Sequence, residues 1–166
     1  MPQIGSISTQ KSIALLIATA SGLPDTVDAL TAQQDGTLPA ILAHQIIAQN
    51  VAPEISDRST AGKYPLVYVY CSKIVNQLRE KFRTFSGDAQ MVVEARVSLD
   101  RLDEMESHLQ FYADAIMQVL DNNRGDWGDG VFYGGGYEVA FTPVKRGGRN
   151  FIQTAKVTFV LEISTD

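Results

Sequence analysis

The stretch from Asp100 to Asn123, DRLDEMESHLQFYADAIMQVLDNN, sets Leu102, Met105, Leu109, Tyr112, Ala113, Ile116, Val119 and Leu120 at helical spacing. That pattern is one face of an amphipathic helix, and a one-sided helix has to bury its stripe against something. Asp100 is placed to cap the first turn, and Asp103, Glu104 and Glu106 lie near the positive end of the helix dipole. Asn122, Asn123, Arg124 and Gly125 supply the stop. The partner surface is written on either side. Before the helix, Met91, Val93, Ala95, Val97 and Leu99 alternate with Gln90, Val92, Glu94, Arg96 and Ser98, which predicts a half-buried antiparallel strand. After it, Glu138 to Val144 and Phe151 to Ser164 flank KRGGRN and predict a long hairpin with a charged tip. In its second strand Phe151, Gln153, Ala155, Val157, Phe159, Leu161 and Ile163 share a face.

A strand of about a dozen residues is long for a compact domain, so the hairpin either projects or pairs an edge with another chain. Pro143 restricts the first strand to an edge or a bulge. The fold class that follows is α+β: a mainly antiparallel twisted sheet with a central helix packed on one face, flanking N-terminal helices and a long C-terminal β-hairpin.

The N-terminal third reads as helical. Met1 to Thr9 is an arm without periodicity. Ile13, Leu16, Ile17 and Ala20 mark a helix that Pro24 either interrupts or follows, in the latter case from the first turn of a new helix after Ser21 or Gly22, and Val27 and Leu30 then face inward up to Gln33. After the Asp35-Gly36 turn, Ile41, Leu42, Gln45, Ile46 and Ala48 predict a second short helix, stopped by Pro53. ISDRSTAGKY is a polar loop. Leu66 to Cys71 predicts a buried strand, and Ile74, Val75, Leu78 and Phe82 predict a helix over 72–82. No repeat or composition break divides the chain, so 1–166 reads as a single domain, with a helical part over 1–54 and an α/β core over 65–166.

A length of 166 residues is enough to bury a core, and a net charge of −5 argues against a surface built for nucleic acid. The apolar run in SIALLIATASGL is too short to span a bilayer and reads as a buried helix with no targeting segment. Chemistry finds little purchase. Cys71 is the one cysteine and reads as a small buried hydrophobe, since neither histidine, His44 nor His108, is linked to it by spacing. Asp121, Asp126 and Asp129, with Asn122 and Asn123, offer oxygen ligands, but Gly125 stands at the third ligand position and no glutamate closes the loop, so the stretch reads as a helix end followed by turns. No catalytic, metal or cofactor set emerges. Binding surfaces stand out instead. They are the aromatics Trp127, Phe132, Tyr133 and Tyr137, which either fold back on the helix end or anchor an interface; the tip Lys145, Arg146 and Arg149; and the loop Asp57 to Lys63 with Arg58 and Lys63.

VYVYC, the FSG turn into an alternating strand, a helix ending VLDNNRGDWGDG, then GGGYEVAFTP, a GG hairpin and QTAKVTFVLEI follow one another over about the last 100 residues. In this order and texture the chain resembles the tail terminator (tail completion) proteins of long-tailed bacteriophages. The resemblance implies a structural virion protein of the neck, assembled in the host cytoplasm and neither enzyme nor membrane protein. It implies a ring, a hexamer in that family, that caps the head-proximal end of the tail tube, stops tube polymerisation and joins the head connector, with DNA passing through the lumen. Two other classes remain open: another neck or head-completion connector protein, and a small ligand-binding or enzymatic α+β domain.

Overall fold

The structure, a computed structural model, describes residues 3–33, 38–51, 64–99, 101–147 and 150–166. In chain order the elements are helices α1 (Ile4–Leu16) and α2 (Leu23–Gln33), one 3-10 turn (Ala43–Gln45), and strands β1 (Ile46–Ile47), β2 (Leu66–Asn76) and β3 (Phe85–Leu99). There follow helix α3 (Met105–Asn122) and strands β4 (Gly125–Gly128), β5 (Val131–Tyr133), β6 (Glu138–Phe141), β7 (Lys145–Gly147) and β8 (Asn150–Thr165). The fold is α+β: one curled, mostly antiparallel sheet carries the helices on one face.

β8 is the spine. It pairs antiparallel with the whole of β3, from Phe85 opposite Thr165 to Leu99 opposite Phe151. Along its other edge β7, β6 and β5 take up Asn150–Ile152, Ala155–Thr158 and Glu162–Ile163 in succession. The predicted hairpin is therefore present, and most of its long strand is paired on both edges, with 159–161 the stretch between β6 and β5. Three short strands share the length that one partner would have covered. The break between β6 and β7 falls at Thr142-Pro143-Val144, where the proline removes a ladder donor.

α3 buries Met105, Leu109, Tyr112, Ala113, Ala115, Ile116, Val119 and Leu120. It lies across β3 and β8, whose fully buried Val93, Ala95, Ala155 and Val157 form the floor. The helix begins later than its sequence pattern suggests. Leu102 is exposed in a preceding turn, and the first position is flanked by Glu104 with no side-chain capping bond. Asp100, the expected cap, lies outside the described residues.

Three further expectations are corrected. Ile4 to Leu16 is helix, so most of the expected arm belongs to α1. Its buried line is Ile4, Ser8, Ser12 and Leu16, and both serines donate to the carbonyl four residues back, Ser8 at 2.7 Å and Ser12 at 2.8 Å. Half of the buried face is thus polar and satisfied locally, which hides it from a hydrophobic reading. The helix expected after Pro39 is a single 3-10 turn, followed by β1 pairing parallel to β2 at Val67 and Tyr68. The helix expected over 72–82 is strand to Asn76 and then turn. Pairing slips by one residue between Cys71 and Lys73, a bulge that returns Cys71 and Ile74, three apart, to the same sheet face.

Gly130, between β4 and β5, adopts φ +77°, and a Cβ there would lie 2.1 Å from the carbonyl oxygen of Ser164 on β8. Only glycine lets this turn close onto the spine, where Ser164 donates its amide to Gly130 at 2.9 Å.

The fully buried Ile116 at the centre of α3 tests the packing. Ile116→Ala should cost about 2–5 kcal/mol, read in urea as a lower midpoint at unchanged slope.

Candidate interaction surfaces

The aromatic loop divides into an inner and an outer pair. Trp127 on β4 lies 5.5 Å from Tyr133 and 6.2 Å from Phe159, ring centre to ring centre, and Tyr133 lies 5.5 Å from Phe159. The Trp127 indole donates to the Asn123 carbonyl at 2.7 Å, and the Tyr133 hydroxyl donates to Gly136 at 3.0 Å. These two side chains fold back on the end of α3 and seal the core there. Tyr133 is buried, and burial, with the Asp121 carboxylate adding, pushes its phenol from 10.0 up to about 12. Phe132 and Tyr137 point outward, Phe132 being 45% exposed.

The carboxylates of this region are engaged one by one. Asp121 pairs with Arg124 at 3.0 Å and accepts from Tyr137 at 3.2 Å, Asp126 accepts the Gly128 amide at 2.8 Å, and Asp129 pairs with Lys11 at 2.8 Å. Among the described residues no three His, Cys, Asp or Glu side chains converge as a metal site. Lys145 and Arg146 stand exposed on β7 at one end of the spine. Arg149, Arg58 and Lys63 lie outside the described residues.

The sheet face opposite the helices holds a polar cluster that sequence reading assigns to solvent. Glu94 and Arg96 are 3% and 1% exposed. Arg96 donates to Glu94 Oε2 through its terminal nitrogen at 2.6 Å and through Nε at 3.2 Å, and also to the Val51 carbonyl. Its guanidinium carbon sits 4.1 Å from the centre of the Tyr68 ring. Tyr70 donates to Glu94 Oε1, and Lys156 on β8 stands 3.4 Å from the same oxygen. Burial first, and the bond to Glu94 next, raise the Tyr70 phenol well above its ordinary range. These groups lie on β2, β3 and β8 and cross-link the three strands through side chains. A cavity of about 310 Å³ opens beside them, lined in part by Asn50, Thr142, Lys145 and Lys156. The site is a buried ion pair with Lys145 and Lys156 on its rim.

The feature that sequence reading missed is the turn between β2 and β3. Phe82 is 99% exposed and Leu78 62%, and both adopt left-handed backbone, at φ +69° and +50°. Such conformations cost bulky residues about 1–3 kcal/mol each and persist where the surroundings impose them. Here the surroundings do. Asn76 Oδ1 accepts the amides of Leu78 at 3.2 Å and Ser86 at 3.1 Å, and the Ser86 hydroxyl accepts the Glu80 amide at 3.1 Å. Arg79 pairs with Asp88 at 2.8 Å, Arg83 with Asp166 at 2.8 Å, and Ser164 donates to Glu80 at 2.8 Å. The pattern that suggested a helix is thus a rigid turn displaying its two large apolar residues. The clue in the sequence is Asn76, which can fold its side chain onto its own backbone as a turn opener.

A groove of about 640 Å³ runs between α1 and the outer edge of β2, lined in part by Thr9, Ile13, Ala14, Ile17, Ala48 and Cys71. β1 covers only Val67 and Tyr68, so from Val69 onward that edge of β2 has no strand partner among the described residues. Cys71 lies half-buried here, and burial raises its thiol pKa, which disfavours the nucleophilic thiolate. Among the described residues no helix is long and apolar enough to cross a membrane.

A scan of protein-family models finds no match to this chain, and a search of curated proteins finds none either.

The ion pair and the phenols generate two expectations. Arg96→Met strands a buried carboxylate and should cost about 3–5 kcal/mol, whereas adding Glu94→Leu should recover most of that loss in the same urea titration. Tyr133 holds its proton more tightly folded than unfolded. Its contribution is therefore complete below pH 10 and lost as pH rises towards 12. Phenolate absorbance should rise together with unfolding across that window, and Tyr133→Phe should flatten the stability slope.

Proposed function

We propose that this chain is a structural virion protein of the tail-terminator kind, one that caps the head-proximal end of a phage tail tube, stops tube growth and joins the tail to the head connector. The observation that carries the reading is where the resembling segments fall. VYVYC lies in β2, the FSG turn opens β3, VLDNNRGDWGDG spans the end of α3 and β4, and QTAKVTFVLEI lies in β8. They make one continuous sheet, and the exposed apolar and basic groups sit at its ends and along its edge. Phe82 and Leu78 at one end, Phe132 and Tyr137 on the aromatic loop, and Lys145 and Arg146 on β7 suit a subunit surrounded by neighbours.

In this reading the partners are further copies of the chain in a ring, a hexamer by the resemblance, with tube protein below and a connector protein above. Head-to-tail contacts between identical subunits close into rings when the rotation permits. The net charge of −5 favours a lumen along which DNA slides by like-charge repulsion. Location in the particle separates this role from that of another neck or head-completion protein.

Native mass by light scattering, at several concentrations and with or without tail tube protein, tests the proposal. The expected outcome is a hexamer, or a monomer that forms a ring only on tube protein; a monomer or compact dimer indifferent to tube protein would move the assignment to another neck role. The basic tip carries its own expectation: Arg146→Glu with Arg149→Glu should lower virion yield severalfold while leaving the melting temperature unchanged, and full yield would remove the tip as a docking site.

A further inference from the structure

β4 and β5 are joined by the turn Gly128-Asp129-Gly130-Val131, whose two end residues pair with each other. Its inner residues, Asp129 and Gly130, both have positive φ, +55° and +77°. That is the primed hairpin turn which aspartate followed by glycine favours. Ser164 fixes glycine at the second inner position, because its carbonyl oxygen stands where a Cβ would go. The fold therefore sets an aspartate directly before a residue that has no side chain. The Asp129 side chain is 76% exposed, so water reaches it freely.

An aspartate in that setting has a reaction open to it that needs only the chain and water. The Gly130 amide nitrogen attacks Asp129 Cγ, the new N–Cγ bond closes a five-membered succinimide, and a carboxyl oxygen leaves as water. Water then reopens the ring. Where it breaks the bond from the Gly130 nitrogen to the Asp129 main-chain carbonyl carbon, the backbone runs on through the side chain as an isoaspartyl residue. Nothing is oxidised or reduced, and the water lost in the first step is regained in the second. Covalent connectivity supplies the reach, and glycine removes the Cβ that hinders the attack elsewhere. Two conditions remain: the carboxyl must be neutral, and it must be free to turn back over its own backbone. Lys11 on α1 opposes both. Its ammonium stands 2.8 Å from Asp129 Oδ2 and donates to the Trp127 carbonyl at 2.9 Å. The hydrogen bond and charge of Lys11 hold the Asp129 carboxyl below its ordinary range, and so ionised.

We propose that Asp129 is a site of spontaneous isomerisation to isoaspartate and that Lys11, from the other end of the chain, holds the reaction in check. An exposed ion pair contributes little to stability; here it restrains a reaction. The product matters to the fold because it adds a carbon to the main chain inside a two-residue turn. That turn has no slack. Ser164 donates its amide to Gly130 at 2.9 Å, and β5 pairs with β8 at Val131 and Phe132 alone. Isomerisation therefore loosens the β4–β5 hairpin from the spine, at the end where Trp127 and Tyr133 pack on Phe159. This holds whatever the chain assembles with.

The test ages the full chain, Lys11→Met and Lys11→Arg side by side at neutral pH and physiological temperature, in low and in molar salt. Isoaspartate at position 129 is counted by peptide mapping with electron-transfer fragmentation, which tells it from aspartate. It should accumulate slowly in the unaltered chain, severalfold faster in Lys11→Met, and near the original rate in Lys11→Arg, which restores the ion pair. Molar salt screens an exposed pair, so it should speed the reaction in the unaltered chain and leave Lys11→Met unchanged. The salt arm needs no substitution and stands even if a variant folds poorly. Absence of isoaspartate at 129 from all three chains overturns the site. Equal rates in all three, or an acceleration in Lys11→Met that Lys11→Arg fails to reverse, overturns Lys11 as its guard.

Discussion

The pairing of β8 with β3 is the constraint on which the rest depends. Two strands hydrogen-bonded from Phe85–Thr165 to Leu99–Phe151 make a ribbon too long to leave bare, on its faces or on its second edge. α3 covers one face. The second edge is taken up by three short strands that pair with 150–152, 155–158 and 162–163 of β8, with breaks between them. The breaks are where the chain spends its glycines and Pro143, and also where β7 and the aromatic loop reach the surface. The exposed groups of those regions are therefore a consequence of how the long strand is closed.

The other face is secured differently. Leu66, Tyr68 and Tyr70 on β2, Val92, Glu94 and Arg96 on β3, and Thr154 and Lys156 on β8 stand opposite one another, so one carboxylate reaches three neighbours across three strands. A buried ion pair contributes little net stability because desolvation offsets most of the attraction. Its use here is to fix register. A slip of one residue between β2 and β3 would send Glu94 and Arg96 to the helix face, among alanines and valines that offer neither charge nor hydrogen bond.

How far the sequence could be read follows from which of these devices leaves a periodic trace. α3, β3 and β8 bury apolar stripes at simple periods, and all three are legible, as is the α+β class. α1 was legible only in its last turn, from about Ser12, because Ser8 and Ser12 occupy its buried line and satisfy themselves on their own helix. β2 misleads beyond Cys71 because Ile74 and Val75 near its end and Leu78 and Phe82 in the turn after it fall at helical spacing. Glu94 and Arg96 misread as solvent-facing because alternation reports which face a residue is on, not what covers that face; the cover comes from Val51 and the Tyr68 ring. Trp127 and Tyr133 could be placed in an aromatic loop but not assigned inward or outward, since their partner Phe159 lies on a strand about thirty residues on.

The same logic bears on the turn after β2. A protein that needed only a link between two strands would close them with two residues of asparagine and glycine. This chain instead spends eight residues, 77–84, holds two of them in left-handed backbone, fixes the loop with ion pairs to β3 and to the C-terminal end, and leaves the largest apolar side chain uncovered. The left-handed backbone and the exposed phenyl lower the stability of the isolated subunit, while the ion pairs and hydrogen bonds of the loop hold it in one shape. Such strain persists in a fold when it is recovered elsewhere, and among the described residues no surface of the subunit covers Phe82. The rigidity of the turn fixes the geometry in which Phe82 and Leu78 are displayed.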